Sequence, residues 1–215
     1  ANFAGSDSLT VAVNDLGNSG SGGAQSGNAV VGITVSAVND APDLSGISNS
    51  PLNYTENDAP TTLSESAVVA DIDSPNFVSA TVAISNNYQN GEDVLLADNT
   101  GTAINVNFNA MTGVLTLSGG DSTGNYEQVL RSVRYRNTSD APSVATRTIS
   151  VSVSDGGASS LVVQRDIDIT SVNDAPTFPP QPTTFAVNEH TSNGFLIHNV
   201  VVADLDSAPN DFSFA

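Results

Sequence analysis

The sequence has no cysteine, no lysine and no tryptophan. Without cysteine there are no disulfides, so a secreted domain of this composition depends on a large core, a metal or its neighbours. Without lysine, the basic residues are five arginines (Arg131, Arg134, Arg136, Arg147 and Arg165) against 23 acids, and the formal net charge is -18. A charge of this sign repels nucleic acid, whose binding requires neutralised phosphates. It equally disfavours anionic membranes, and it favours cations and mutual repulsion between chains. Without tryptophan, and with four tyrosines, there is little aromatic surface for stacking on sugar rings. No apolar run approaches bilayer-spanning length, so no membrane insertion is expected. The two histidines, His190 and His198, have no cysteine or third histidine to complete a transition-metal site. Residues 41–174 contain no histidine and no Gly-x-Ser-x-Gly elbow, which excludes a Ser-His-Asp triad there. An enzyme is not expected.

What the chain does have is alternation and repetition. Hydrophobic residues make up 39% and charged residues only 13%, so the acids punctuate a foldable chain rather than solvate a disordered one. Val38-Asn39-Asp40-Ala41-Pro42 recurs as Val172-Asn173-Asp174-Ala175-Pro176, 134 residues later. VVADIDS from Val68 returns as VVADLDS from Val201, at an offset of 133, and Glu56 matches Glu189 at the same offset. Markers in one order at one spacing define an internal repeat. Residues 1–40 then read as the tail of one repeat, 41–174 as a complete repeat and 175–215 as the head of the next, in a fragment cut at both ends. The tails agree: the LTVAVND run at Leu9 parallels ISVSVSD at Ile149. The longer Gly/Ser-rich loop from Leu16 to Asn28 belongs in a surface hairpin.

The runs Val78-Ala80-Val82-Ile84, Ile104-Val106-Phe108, Ile149-Val151-Val153 and Leu161-Val163-Ile167-Ile169 all have period two, with one face buried and one wet. Turn pairs at Asn90-Gly91 and Asp155-Gly156 separate them. The fold class is all-β, an antiparallel sandwich. One exception is Tyr126 to Val133, where Tyr126, Val129, Leu130 and Val133 follow helical spacing. The arginines are expected to neutralise nearby acids, with Arg134 and Arg136 pairing across a sheet.

Six to eight oxygens at about 2.3–2.6 Å suit Ca²⁺, and acids converging from several loops supply them. The acids fall where loops of consecutive repeats would meet: Asp40 and Asp174 in the linkers, Asp71 with Asp73 and Asp204 with Asp206 after an early strand, Asp15 and Asp155 at hairpin ends. In an extended segment residues i and i+2 point the same way, so Asp71 and Asp73 can address one ion while Ile72 packs behind. The same holds for Asp204 and Asp206. The competing reading is turn chemistry, because Asp beside Pro or Gly often serves only to turn the backbone.

These strings resemble the cadherin family. VNDAP resembles its Asx-rich linker, VVADIDS its Ala-x-Asp-x-Asp-Ser motif, YTEN its Glu-Asn motif, TGVLTL its Thr-Gly-x-Leu strand and SVSDGG its Asp-Gly hairpin. NYEQVLRSVRYRNTSDAPS followed by RTISVSVSDG is similar to cadherin-like repeats of large bacterial surface proteins and adhesins. The resemblance implies tandem Ig-like, cadherin-like sandwiches with Ca²⁺ at each junction. It implies that Asp40, Asp71, Asp73 and Asp155 serve the first junction, with Asn39 contributing oxygen. Glu56, Asn173, Asp174, Asp204 and Asp206 would serve the second, and Glu189 one beyond. The family's Asp-Arg-Glu motif is replaced here by GGDSTGNYEQ, in which Asp121 or Glu127 is the available substitute.

The resulting expectation is an extracellular, cell-surface stalk repeat whose partners are the neighbouring repeats of its own chain and whose stiffness depends on Ca²⁺. The alternatives are an adhesive module, self-associating or binding a surface polysaccharide, and a subunit of an extracellular filament or sheath.

Overall fold

In a computed structural model, residues 4–17, 20–180, 201–204 and 206 are described. The strands in chain order begin with β1 (Gly5–Asn14), β2 (Ser26–Val35), β3 (Asp43–Ser45), β4 (Leu52–Thr55), β5 (Thr61–Thr62) and β6 (Val68–Ala70). They continue with β7 (Asn76–Asn86), β8 (Asp93–Leu96), β9 (Asn105–Asn109) and β10 (Val114–Ser122). Helix α1 (Thr123–Arg131) follows, then β11 (Arg134–Asn137), β12 (Arg147–Ser154) and β13 (Val163–Thr170).

Period-two alternation builds the two main layers. A six-stranded sheet runs β4-β13-β12-β7-β10-β9, and a three-stranded sheet runs β5-β11-β8. All pairs are antiparallel except β4 with β13, which is parallel. In β12, Arg147, Ile149, Val151 and Val153 point inward while Thr148, Ser150, Ser152 and Ser154 alternate on the other face. The core they meet includes Tyr54, Phe77, Val82, Leu95, Leu115, Leu117, Tyr126, Tyr135 and Ile167, and the buried cluster extends from Leu44 to Ile169. The fold is an all-β sandwich, as the alternation requires.

The helix is present but starts earlier than its apolar spacing suggests. Ser122 caps it by accepting from the Asn125 N–H, and Tyr126, Val129 and Leu130 are its buried residues. Val133, the last member of the apolar series, lies beyond the helix and is also buried.

Two strand expectations need correction. Val78 is exposed although Ala80, Val82 and Ile84 are buried. At the start of β7 the inward residue is Phe77, and the β7–β10 register shifts opposite Val78, between Ser118 and Asp121, where Gly119 has φ +125°. Leu161 is 88% exposed and precedes β13 rather than joining its apolar row. Asn90-Gly91 also joins strands of different sheets, β7 and β8, rather than a paired hairpin.

Arginines do neutralise acids, Arg131 with Glu127 and Arg147 with Asp93, but not through the cross-sheet pairing expected of Arg134 and Arg136. Tyr135 and Asn137 face inward along β11, so Arg134 and Arg136 face outward opposite Leu96 and Val94, neither of which offers a carboxylate. The buried cation is Arg147. Its Nε lies 3.1 Å from Asp93 Oδ2, and both side chains are fully buried. Tyr135 Oη and Asn137 Nδ2 donate to Asp93 Oδ1 at 2.6 and 2.8 Å, and the Gln89 N–H donates to Oδ2 at 2.8 Å. The Arg147 Nη1 donates to the Ser143 and Ala145 carbonyls, each at 2.6 Å. Such a pair is tolerable inside a core only when its donors and acceptors are matched.

Before this sandwich, β1 and β2 form a separate hairpin whose residues are all exposed. Its register pairs Leu9 with Val31 and Asp7 with Ile33. In β12–β13, Ile149 pairs with Arg165 and Arg147 with Ile167. The two hairpins therefore share one register.

Candidate metal centre

The first acidic cluster is made by three loops. The segment after β6 carries Asp71 and Asp73, the β12–β13 turn carries Asp155, and the linker before β3 carries Asn39 and Asp40. Carboxylate oxygens of Asp71, Asp73 and Asp155 lie within 4.8 Å of one another, the one such trio among the described residues. The linker is tied to it directly, because the Asp40 N–H donates to Asp73 Oδ2 at 3.1 Å. Asn39 Nδ2 donates to the Asp40 carbonyl at 2.7 Å.

Each acid divides its work between its two oxygens. Asp71 Oδ1 accepts from the N–H groups of Asp73 and Ser74 at 3.0 and 2.9 Å, while Asp71 Oδ2 is buried with no hydrogen-bond partner. Asp155 Oδ1 accepts from the N–H groups of Gly157 and Ala158 at 2.8 and 2.7 Å. Its Oδ2 faces Ser74, whose hydroxyl is 3.4 Å away. Turn chemistry thus engages one oxygen of each side chain and leaves the other turned toward the cluster. Asp15, at the corresponding place in the first hairpin, spends Oδ1 on the N–H groups of Gly17 and Gln25.

The electrostatics agree with an anionic cup. Burial pushes the Asp71 carboxyl up, but the N–H groups of Asp73 and Ser74 outweigh it and hold the group below the usual range. Asp73 is raised by its hydrogen-bonded contact with Asp71. Asp155 is held low, first by the Ala158 N–H and also by the Asn39 side chain. A buried carboxylate oxygen without a donor is costly, and a cation could serve as its partner. The donor set is all oxygen, which suits Ca²⁺ and excludes the nitrogen and sulfur chemistry of zinc.

The second cluster repeats the first. The Asp174 N–H donates to Asp206 Oδ2, as Asp40 does to Asp73. The Asp206 N–H donates to Asp204 Oδ1 at 3.0 Å, as Asp73 does to Asp71. Asn173 Nδ2 donates to the Asp174 carbonyl at 3.0 Å, as Asn39 does to Asp40. Thr177 bridges Ala203 where Asp43 pairs with Ala70. Glu56 arrives from the end of β4; it is 2% exposed, and its Oε1 accepts the Val172 N–H at 2.8 Å. Glu56 Oε2 and Asp174 Oδ2 are both buried and unpartnered. Burial, then Asp206, Asp140 and Asp204, raise the Asp174 carboxyl.

Asp140 lies near enough to Asp174 to raise its carboxyl, and the repeat markers do not include it. Its signal is the Asp140-Ala141-Pro142 string, which repeats the Asp-Ala-Pro of both linkers. Neither proposed substitute for the missing Asp-Arg-Glu acids is free for a metal. Asp121 accepts from the Ala103 and Ser122 N–H groups and from Asn125. Glu127 accepts the Val69 N–H and pairs with Arg131. Glu189, His190 and His198 lie outside the described residues.

With this geometry in view, the chain can be set beside known proteins. It matches no protein-family model. It is similar to halomucin of Haloquadratum walsbyi, 35% identical over 119 residues, which is 54% of this chain and 1% of that protein. The chain therefore spans about 1% of the length of the curated relative it matches. Among solved structures it is similar to extracellular cadherin domains 1–4 of protocadherin gamma B7, with 17% identity and a TM-score of 0.34 over 85% of this chain and 39% of that one. It is also similar to the EC21–23 segment of human CDH23, with 18% identity and a TM-score of 0.33 over 84% of this chain and 49% of that one.

Proposed function

We propose that the chain is a structural, non-enzymatic repeat of an extracellular surface protein, and that Ca²⁺ at its junctions holds successive repeats in line. Residues 41–174 form the complete repeat, flanked by the end of one neighbour and the start of another. Asp71, Asp73 and Asp155 hold an ion against the linker residues Asn39 and Asp40. Asp174, Asp204, Asp206, Asn173 and Glu56 do so at the next junction, with Asp140 beside them. The ion supplies positive charge where carboxylates converge and no bond chemistry, while these side chains and the linker amides fix the angle of entry into the next repeat. The similarity to halomucin, a far longer protein, supports the surface location.

The observation that carries the reading is the buried, donorless Oδ2 of Asp71 beside two further carboxylates, matched at the second junction by Glu56 Oε2 and Asp174 Oδ2. Calorimetric titration of the chain with Ca²⁺ tests it, with thermal melts in Ca²⁺ and in chelator. Saturable binding that raises the melting temperature, and that loses one component in Asp71→Asn and another in Asp204→Asn, is expected. Ligand binding only to the folded state adds about 2.7 kcal/mol when free ligand exceeds Kd a hundredfold. Absence of heat and of a melting shift at millimolar Ca²⁺ refutes the reading.

A further inference from the structure

The sequence contains two Asn-x-Ser/Thr triplets, Asn53-Tyr54-Thr55 and Asn137-Thr138-Ser139. The motif marks an acceptor for N-linked glycans only where the asparagine can be reached, and the two sites differ in that respect. Asn137 is 5% exposed. Its Nδ2 donates to Asp93 Oδ1 at 2.8 Å, inside the Arg147 network, and its Oδ1 accepts the Ser139 N–H at 2.8 Å. The nitrogen that would carry a sugar is committed to the core.

Asn53 has the opposite setting. It lies in β4, the edge strand of the six-stranded sheet, and is exposed while its neighbour Tyr54 is 1% exposed. Because side chains alternate along a strand, Asn53 and Thr55 project together on the side away from Tyr54. Amide and hydroxyl therefore stand on one face of β4. Asp168, opposite Asn53 in β13, is occupied by the Thr146 hydroxyl at 2.8 Å.

We propose that Asn53 is an N-glycosylation site and that Asn137 is not. The proposal rests on the surface location argued above. In the transfer, Asn53 Nδ2 bonds to the anomeric carbon of a glycan carried on a lipid phosphate. The anomeric carbon–oxygen bond to phosphate breaks, its electron pair leaves with the lipid phosphate, and one amide proton passes to a base of the transferase. A glycan here would also shield an open sheet edge. Such edges are commonly guarded by lysine, which this chain does not have.

The test expresses the full chain behind a leader peptide in a secretory host with N-linked glycosylation, beside a reporter of known occupancy. Intact mass, then amidase release in ¹⁸O water with peptide mapping, reads the site. One glycan is expected, located on Asn53, lost in Asn53→Gln and Thr55→Ala and retained in Thr55→Ser and Ser139→Ala. Far-UV circular dichroism confirms that each secreted variant folds. An unmodified chain beside a glycosylated reporter, a glycan that survives Thr55→Ala, or one mapped to Asn137 overturns the proposal. The Ca²⁺ titration is a separate measurement, so failure of the metal reading and failure of this one are distinguishable.

Discussion

Replacing Arg147 by methionine removes the cation from a fully buried pair while keeping much of the aliphatic volume. Asp93 keeps Tyr135, Asn137 and the Gln89 N–H as donors but loses both guanidinium contacts, at 3.1 and 3.3 Å. The Ser143 and Ala145 carbonyls lose their shared donor. Breaking one side of a buried ion pair typically costs about 3–5 kcal/mol. The carbonyls belong to exposed residues before β12, where water replaces the lost donor in part, so the lower half of that range applies. Urea unfolding followed by far-UV circular dichroism, in excess Ca²⁺, gives the value. Arg147→Met combined with Asp93→Leu should recover part of the loss, because the second change removes the stranded charge. Coupling between contacting residues is commonly about 0.5–3 kcal/mol. A single-variant loss below about 1 kcal/mol with an unchanged urea slope would refute the view that this pair organises the sandwich centre.

Other outcomes follow from particular contacts. Gly46 has φ +74°, and a Cβ there would stand 1.8 Å from the Ser66 carbonyl oxygen, so Gly46→Ala should cost at least about 2 kcal/mol by strain and clash, measured by the same urea titration. A Cβ on Gly157 would come within 2.9 Å of the Asn39 side chain; Gly157→Ala should therefore weaken Ca²⁺ binding at the first junction, read by calorimetry, while the melting temperature in chelator changes little. The Asp121 carboxyl is held low, first by the Ala103 N–H and then by that of Ser122. A depressed folded-state pKa gives stability above the unfolded value that is lost as pH falls through the folded one. Melting temperatures scanned from pH 5 down to pH 2 should fall less steeply in Asp121→Asn than in the parent.

How much of this was legible in the letters depended on whether neighbours along the chain or across space decide the matter. Alternation in Ile149-Val151-Val153 is local, and it named the buried face of β12 correctly. The spacing of Tyr126, Val129 and Leu130 named a helix for the same reason. Val78 departs from the pattern because alternation breaks within β7 between Phe77 and Ala80, at a register shift against β10 that only the pairing reveals. Arg134 and Arg136 failed because strand parity turned them outward, while Arg147, which occupies an inward position in an apolar row, found Asp93 from 54 residues away. At the junctions, the repeated Asp40, Asp71, Asp73 and their counterparts pointed to the clusters. Asp140 comes near Asp174 through the crossover from β11 to β12, a proximity that local pattern does not encode.

The division of labour within Asp71, Asp155 and Asp204 bears on which ion these clusters would choose and how fast. One oxygen of each is pinned by backbone N–H groups, so its companion is aimed before any ion arrives and little ordering remains to be done on binding. Fixed oxygens set a coordination radius. An ion that accepts irregular shells and sheds its waters readily suits such an arrangement better than Mg²⁺, with its small octahedral shell and slow dehydration.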